Sequence, residues 1–251
     1  MDATSAVSAR KLARIAGALY LINILGGAFA IGVVPALLLV ADPGMTAQNI
    51  QTHELLYRSA LVAHVVVTVT NVPLAMIFYE LFKVVNRRLA LLDAFFILVA
   101  TSIEAASLLN QFTPLVLLSA GPYAKALPAA QLQALAYLPW DLSGIDYSVH
   151  TMFFAVDIAI MGYLVFRSTF VPRVIGVLLA LDAVAYLTYS FANLLVPDFA
   201  ALLVPWIQFP ALICEGALCV WLLMFGVRRD RWSQRTGEAM PIRSAPLEAV
   251  V

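Results

Sequence analysis

Four carboxylates fall near the middle of long apolar stretches: Glu104, Asp157, Asp182 and Glu215. A carboxylate at bilayer depth is costly to bury, so each is a candidate for carrying a proton, holding a cation or tying two helices together. Asn23 and Asn71 fall at the same depth, and with the acids they make a candidate interior polar site. Charged carboxylates cannot share a dry core. Either most are protonated, acting as hydrogen-bonded packing glue between helices, or cations balance them. A second group, Arg58, His64, Gln111, Asp146 and His150, lies nearer the outer ends of the stretches and makes a candidate vestibule. Arg58 is placed to pair with Glu104 or with an anionic substrate group; its plainer role is an arginine snorkelling to the outer surface.

Other chemistries are poorly supported. Asp146 and His150 stand at helical i, i+4 spacing and, with His64 and Asp157, offer metal-ligand types. No HExxH or HxE motif accompanies them, so no metal is assigned and no cofactor is implied. Ser143 lies near Asp146 and His150, yet no GxSxG elbow marks a nucleophile. No glycine loop is built to cradle phosphate, and Gly26-Gly27 reads as a close-packing site. Cys214 and Cys219 are five positions apart, which puts them roughly 140° apart on a helix, so they cannot pair and read as small buried side chains.

The elements that must position these residues follow from composition. Hydrophobic residues make up 63% of the 251 positions and charged residues 12%. A soluble domain runs near ~45–50% and ~25%. The net charge of zero carries no nucleic-acid footprint. A spanning helix needs about 20 mostly apolar residues, and the stretches 15–40, 55–82, 89–119, 147–167, 173–196 and 204–227 qualify. Helices rather than barrel strands are expected from their length. The reading is an all-α polytopic bundle with six transmembrane helices, a cytoplasmic segment over 1–14, a transmembrane domain over 15–227, and a basic, disordered cytoplasmic tail over 228–251. With the N-terminus inside, all of the fifteen Lys and Arg except Arg58 and Lys125 fall on the inner side. That bias sets both termini in the cytoplasm and the protein in the inner membrane. The lipid bilayer is then the first partner, and a homo-oligomer is expected if the bundle carries a solute.

A rival reading of the N-terminus is a secretory signal, with Arg10, Lys11 and Arg14 before an apolar run and Ala28-Phe-Ala30 as the cleavage site. The apolar run continues to Val40, long enough to span. Among the connections, Asp42-Pro-Gly44 signals a turn, and Thr46 is the expected N-cap of a helix entering the second span. Pro128 is expected to open a short helix, Ala129–Leu138, that Pro139 ends.

Helical phase aligns the polar residues into seams. Tyr20, Asn23 and Gly27 share one face; so do His64 and Asn71; Asp93, Glu104 and Gln111; Asp146, His150 and Asp157; Asp182, Tyr186, Tyr189 and Asn193; and Gln208, Glu215 and Cys219. Each seam is expected to turn inward, away from lipid. Glu80 and Asp93 lie near the inner face and are expected to form interfacial ion pairs, Glu80 with Lys83 and Asp93 with Arg87 and Arg88. Tyr79 to Lys83 and Tyr163 to Arg167 also echo one another, each ending a span at a basic turn.

Four passages carry a family resemblance: Arg14 to Leu21, Tyr79 to Arg88, Phe166 to Ala180, and Glu215 through Trp221 to Gly226. In order and spacing they resemble the 4386 family of domains of unknown function, multi-pass bacterial membrane proteins. The resemblance implies an uncleaved first span and carries over no activity, cofactor or catalytic residue. Function therefore stays open among a non-catalytic regulatory or partner-binding subunit, a proton- or cation-coupled carrier of a small solute, and an intramembrane enzyme.

Overall fold

The computed structural model describes residues 4–228 and 231–232, and across them it is helical throughout, with no strand. Helix α1, Thr4–Gly27, continues through a π-helical turn, Ala28–Val33, into α2, Val34–Leu38. The wide turn has a local cause. Pro35 has no N–H to return to the preceding turn, and its ring pushes that turn's carbonyls outward. Helix α3, Pro43–Thr52, is capped by Asp42, whose carboxylate accepts from Met45 N at 2.7 Å. Thr46, the expected cap, lies one turn inside α3. Its hydroxyl instead ties down the preceding strand of chain, donating to Val40 O at 2.9 Å. Asp42 takes the role because it directly precedes Pro43, which supplies a helix-ready φ at the first position.

Only His53 separates α3 from α4, Glu54–Asn110. Helix α4 is two arms, because Asn86 has extended backbone angles, φ −156° and ψ 106°. The Asn86 side chain then caps the second arm, accepting from Arg88 N and Leu89 N, each at 3.1 Å. A straight helix would separate Tyr57 from Gln111 by about 80 Å at 1.5 Å per residue. Instead the Tyr57 hydroxyl donates to Gln111 O at 2.7 Å, and His64 meets Glu104 at 3.0 Å. The two arms therefore lie antiparallel, folded at Asn86.

Short helices α5, Thr113–Leu117, and α6, Pro122–Ala126, lead to α7, Ala129–Ser168. Pro139 lies inside α7 rather than ending a helix at Leu138, which corrects the sequence expectation. Leu132, Ala136 and Pro139 are buried at helical spacing on one face. Their packing offsets the one lost backbone bond, a cost of about 3 kcal/mol. Thr169, at φ 65°, and Pro172 turn the chain into α8, Arg173–Leu195, and α9, Pro197–Met224, follows after Val196.

The stretches Ser8–Leu38, Glu54–Leu117, Ala129–Ser168 and Arg173–Leu195 are long and apolar enough to cross a membrane. Helix α9, bent by 53° between Val204 and Phe209, makes a fifth if it counts as one span. The helices close a ring: α1 packs on α4 and α9, α4 on α7, α7 on α8, and α8 on α9. Glycines set the closest crossings. A Cβ on Gly176 would lie 2.6 Å from Gly162 O, and one on Gly17 would lie 2.7 Å from Leu223 N. At the end of the ring that holds both chain turns, Phe170 packs tilted against Phe82 and edge to face with Trp232 around a buried core. There Arg10 and Arg14 donate to Phe225 O and Met224 O, each at 3.2 Å, capping α9 with cations where its dipole is negative. The expected tail, 228–251, lies outside the described residues apart from Arg228, Arg231 and Trp232.

Candidate functional site

Inside the ring is a cavity of ≈ 210 Å³ to which the π turn, both arms of α4, and α1, α7, α8 and α9 contribute side chains. Four carboxylates line it: Asp93 and Glu104 from the second arm of α4, Asp157 from α7, and Glu215 from α9. Asn23, Asn71 and His150 line it too, and among the described residues no lysine or arginine does. The seams turn inward because a polar stripe repeated every seven or eleven residues has one face, and the apolar remainder takes the lipid side. Val62, Val69 and Met76 are exposed while Asn71 and Leu74 are buried on the same arm.

Each acid has its own setting. Glu215 accepts two phenol protons, from Tyr20 at 2.6 Å and from Tyr186 at 2.9 Å. Glu104 meets His64 Nε2 at 3.0 Å through one oxygen, and its other oxygen has no hydrogen-bond partner among the described residues. Asp93 and Asp157 face each other with their carboxyl groups within hydrogen-bond reach. Two carboxyls in such contact must share a proton, since a pair of bare anions has no hydrogen to place between them. Asn23 donates to Asn71 and accepts from Thr70, so both amides are held against α4. His150 donates Nδ1–H to Ala100 O at 2.9 Å and stacks on Phe154, which leaves its Nε2 uncommitted to that bond.

The structure sorts the sequence candidates. Of the interior group, Asn23, Asn71, Glu104, Asp157 and Glu215 share the cavity. Asp182 is buried on α8 but does not line it, and neither carboxylate oxygen has a hydrogen-bond partner. Of the vestibule group, only His150 reaches the cavity, with His64 behind it on Glu104. Arg58 does not meet Glu104: it is exposed and bonds Glu54 one turn away at 2.6 Å. The reason is phase, since six residues carry Arg58 about 120° around the helix from His64. Asp146 accepts from Ser107 at 2.8 Å, and Gln111 sits at the end of α4 near Trp140. Among the described residues no three His, Cys, Asp or Glu side chains converge to hold a metal ion. Cys214 and Cys219 are buried free thiols.

Glu80 does pair with Lys83, as expected. Asp93 is the residue that sequence reasoning misassigned: it is 3% exposed and faces Asp157, while Arg87 bonds the Tyr79 hydroxyl. The signal was present. Arg87 and Arg88 lie about 120° and 140° around the helix from Asp93, so neither arginine shares its face, whereas Glu104 does. The glycine pair divides in the same way. A Cβ on Gly26 would lie 2.7 Å from Val67, but one on Gly27 would meet nothing within 4 Å and would look into the cavity.

A closed ring of apolar helices around an acid-lined cavity defines an all-helical protein of the class suited to a membrane. Within that class the chain belongs to the family described as a domain of unknown function, DUF4386, whose model matches residues 15–226. No curated protein and no solved structure matches it.

Proposed function

We propose that this protein is a six-span carrier of the cytoplasmic membrane, with both termini inside, that moves a small solute through the central cavity in exchange for protons. The observation that carries this reading is the cavity itself, lined by Asp93, Glu104, Asp157 and Glu215 with no lysine or arginine among them. Helix glue needs carboxyls hydrogen-bonded between packed helices. It does not need an open volume shared by four acids from three helices. The fold at Asn86 divides α4 into two antiparallel arms, which supports six spans, and the Lys/Arg bias supports the orientation. The π turn over the cavity supports movement: such turns sit at functional bends, and Gly27 precedes this one and Gly32 lies within it, each with no atom within 4 Å of an added Cβ.

Gly27→Cys tests the reading without a known substrate. In proteoliposomes held at one pH on both sides, a membrane-impermeant methanethiosulfonate reagent, which reacts with the thiolate, is expected to label this cysteine from either side. The parent protein, whose two cysteines are buried, gives the background. Labelling from neither side would show a dry, closed cavity and favour a partner-binding subunit.

A further inference from the structure

Resting on that reading, we infer that the cavity takes a small organic ammonium, one amine with a compact aromatic or aliphatic body, and that its entry displaces the proton shared by Asp93 and Asp157. Four features of the site point to this class. The carboxylates come from three helices and, among the described residues, no lysine or arginine lines the cavity to balance them, so an anion is repelled and a cation is favoured. Oxygens remain to be satisfied: Asp93 and Glu104, both in the cavity lining, each keep one buried oxygen, Oδ1 and Oε2, with no hydrogen-bond partner among the described residues. The walls between the acids are aromatic, with Tyr20 edge-on to Phe78, and Phe154 edge-on to Tyr186. Ring faces attract an ammonium by about 0.5–2 kcal/mol each when water is excluded. The rest of the lining is apolar, including Ile24, Leu74, Ile97 and Ile158, and suits a carbon body rather than a hydrated ion.

A bare metal ion fits less well, because no three ligand-type side chains converge among the described residues. Size sets a limit too. At ≈ 210 Å³ the cavity is smaller than the ~300–1,000 Å³ that encloses a drug-sized ligand.

The exchange follows from charge. The Asp93–Asp157 pair shares the cavity with two other carboxyl groups. Glu215 of α9 is held by Tyr20 of α1 and Tyr186 of α8, and Asp182 of α8 is buried outside the lining. Glu104, bonded to His64, and His150 and Tyr147 of α7 are the other titratable groups of the lining among the described residues. An ammonium placed against the pair stabilises both carboxylates, so the proton leaves to water and the charge of the site is unchanged. Removing the ammonium returns the proton. That one-for-one exchange is what a proton-driven carrier requires.

Calorimetric titration of the full-length protein in detergent tests this with three probes of one size: 2-phenylethylammonium, 2-phenylethanol and 3-phenylpropionate. The ammonium is expected to bind at least ten-fold more tightly than the alcohol, and the carboxylate not at all. Titration in two buffers of different ionisation enthalpy is expected to show about one proton released per ammonium bound. Asp157→Asn is expected to abolish the proton release and weaken ammonium binding at least ten-fold, with Arg58→Gln unchanged and both variants folded by circular dichroism. Equal binding of the alcohol, or tighter binding of the carboxylate, would overturn the ligand class while leaving a solute cavity. Ammonium binding without proton release would overturn the exchange. If none of the probes binds while Gly27→Cys still labels, the ammonium assignment fails alone; if the thiol is also silent, the carrier reading fails with it.

Discussion

The end of the bundle around Phe82 and Phe170 and the middle around Asp157 are built from the same helices by opposite means. At the aromatic end, Leu81, Leu164, Val165 and Phe170 are fully buried, Gly162 and Gly176 bring α7 and α8 into backbone contact, and Glu80 neutralises Lys83. One or two turns further along, the helices part around a cavity. The acids are there, and the partners they have are phenols, an imidazole and one another. Small residues and interlocked rings give membrane helices their van der Waals contact, the main attraction available between helices when lipid is as apolar as leucine. A bundle held that firmly at one end can leave its middle open. The difference teaches that the carboxylates are not what holds the ring together.

That contrast can be broken first at the tight crossing. Gly176→Leu places a Cβ 2.6 Å from both Gly162 O and Phe166 N, so α7 and α8 must separate. A loss of about 3 kcal/mol or more is expected, seen as a melting temperature too low to yield monodisperse protein. A melting temperature within a few degrees of the parent would show that the crossing yields. In the middle, Tyr186→Phe removes one of two phenol donors to Glu215 and is expected to cost about 1–2 kcal/mol. Tyr20→Phe combined with it should cost more than the two single changes together, because Glu215 then has neither donor; additivity in a double-mutant cycle would mean the phenols act independently. The smallest effect is expected at Arg58→Gln. Its partner Glu54 is as exposed as it is, with side chains 53% and 52% accessible, so stability should change by less than about 0.5 kcal/mol. A larger loss would place Arg58 in a network that the Glu54 pair does not reveal.

Much of this was legible before any coordinates. Apolar stretches of about 20 residues announce spanning helices because lipid offers the backbone no hydrogen bonds. The 3.6-residue repeat then decides which side chains share a face, and that alone brought Asn23, Asn71, Glu104, Asp157 and Glu215 inward. Most of the readings that failed concerned pairing. Asp93 was matched to arginines nearby in sequence but on other faces, Arg58 to an acid that His64 reaches, and Thr46 to a cap that Asp42 fills. Pro139 failed differently: the local rule was sound, but the buried face of α7 outweighs one lost hydrogen bond.

The sequence by itself determined the helices, their apolar outer faces and the polar stripe on each, because these depend on periodicity and on the cost of placing polar groups in lipid. Only the tertiary structure decided which stripes meet and whether space is left between them. It set Asp93 against Asp157, placed two tyrosines on Glu215, kept Asp182 out of the cavity, and made neighbouring glycines a contact and an opening. The physical reason is that a face is a property of one helix, whereas a cavity and a partner are properties of how several helices cross.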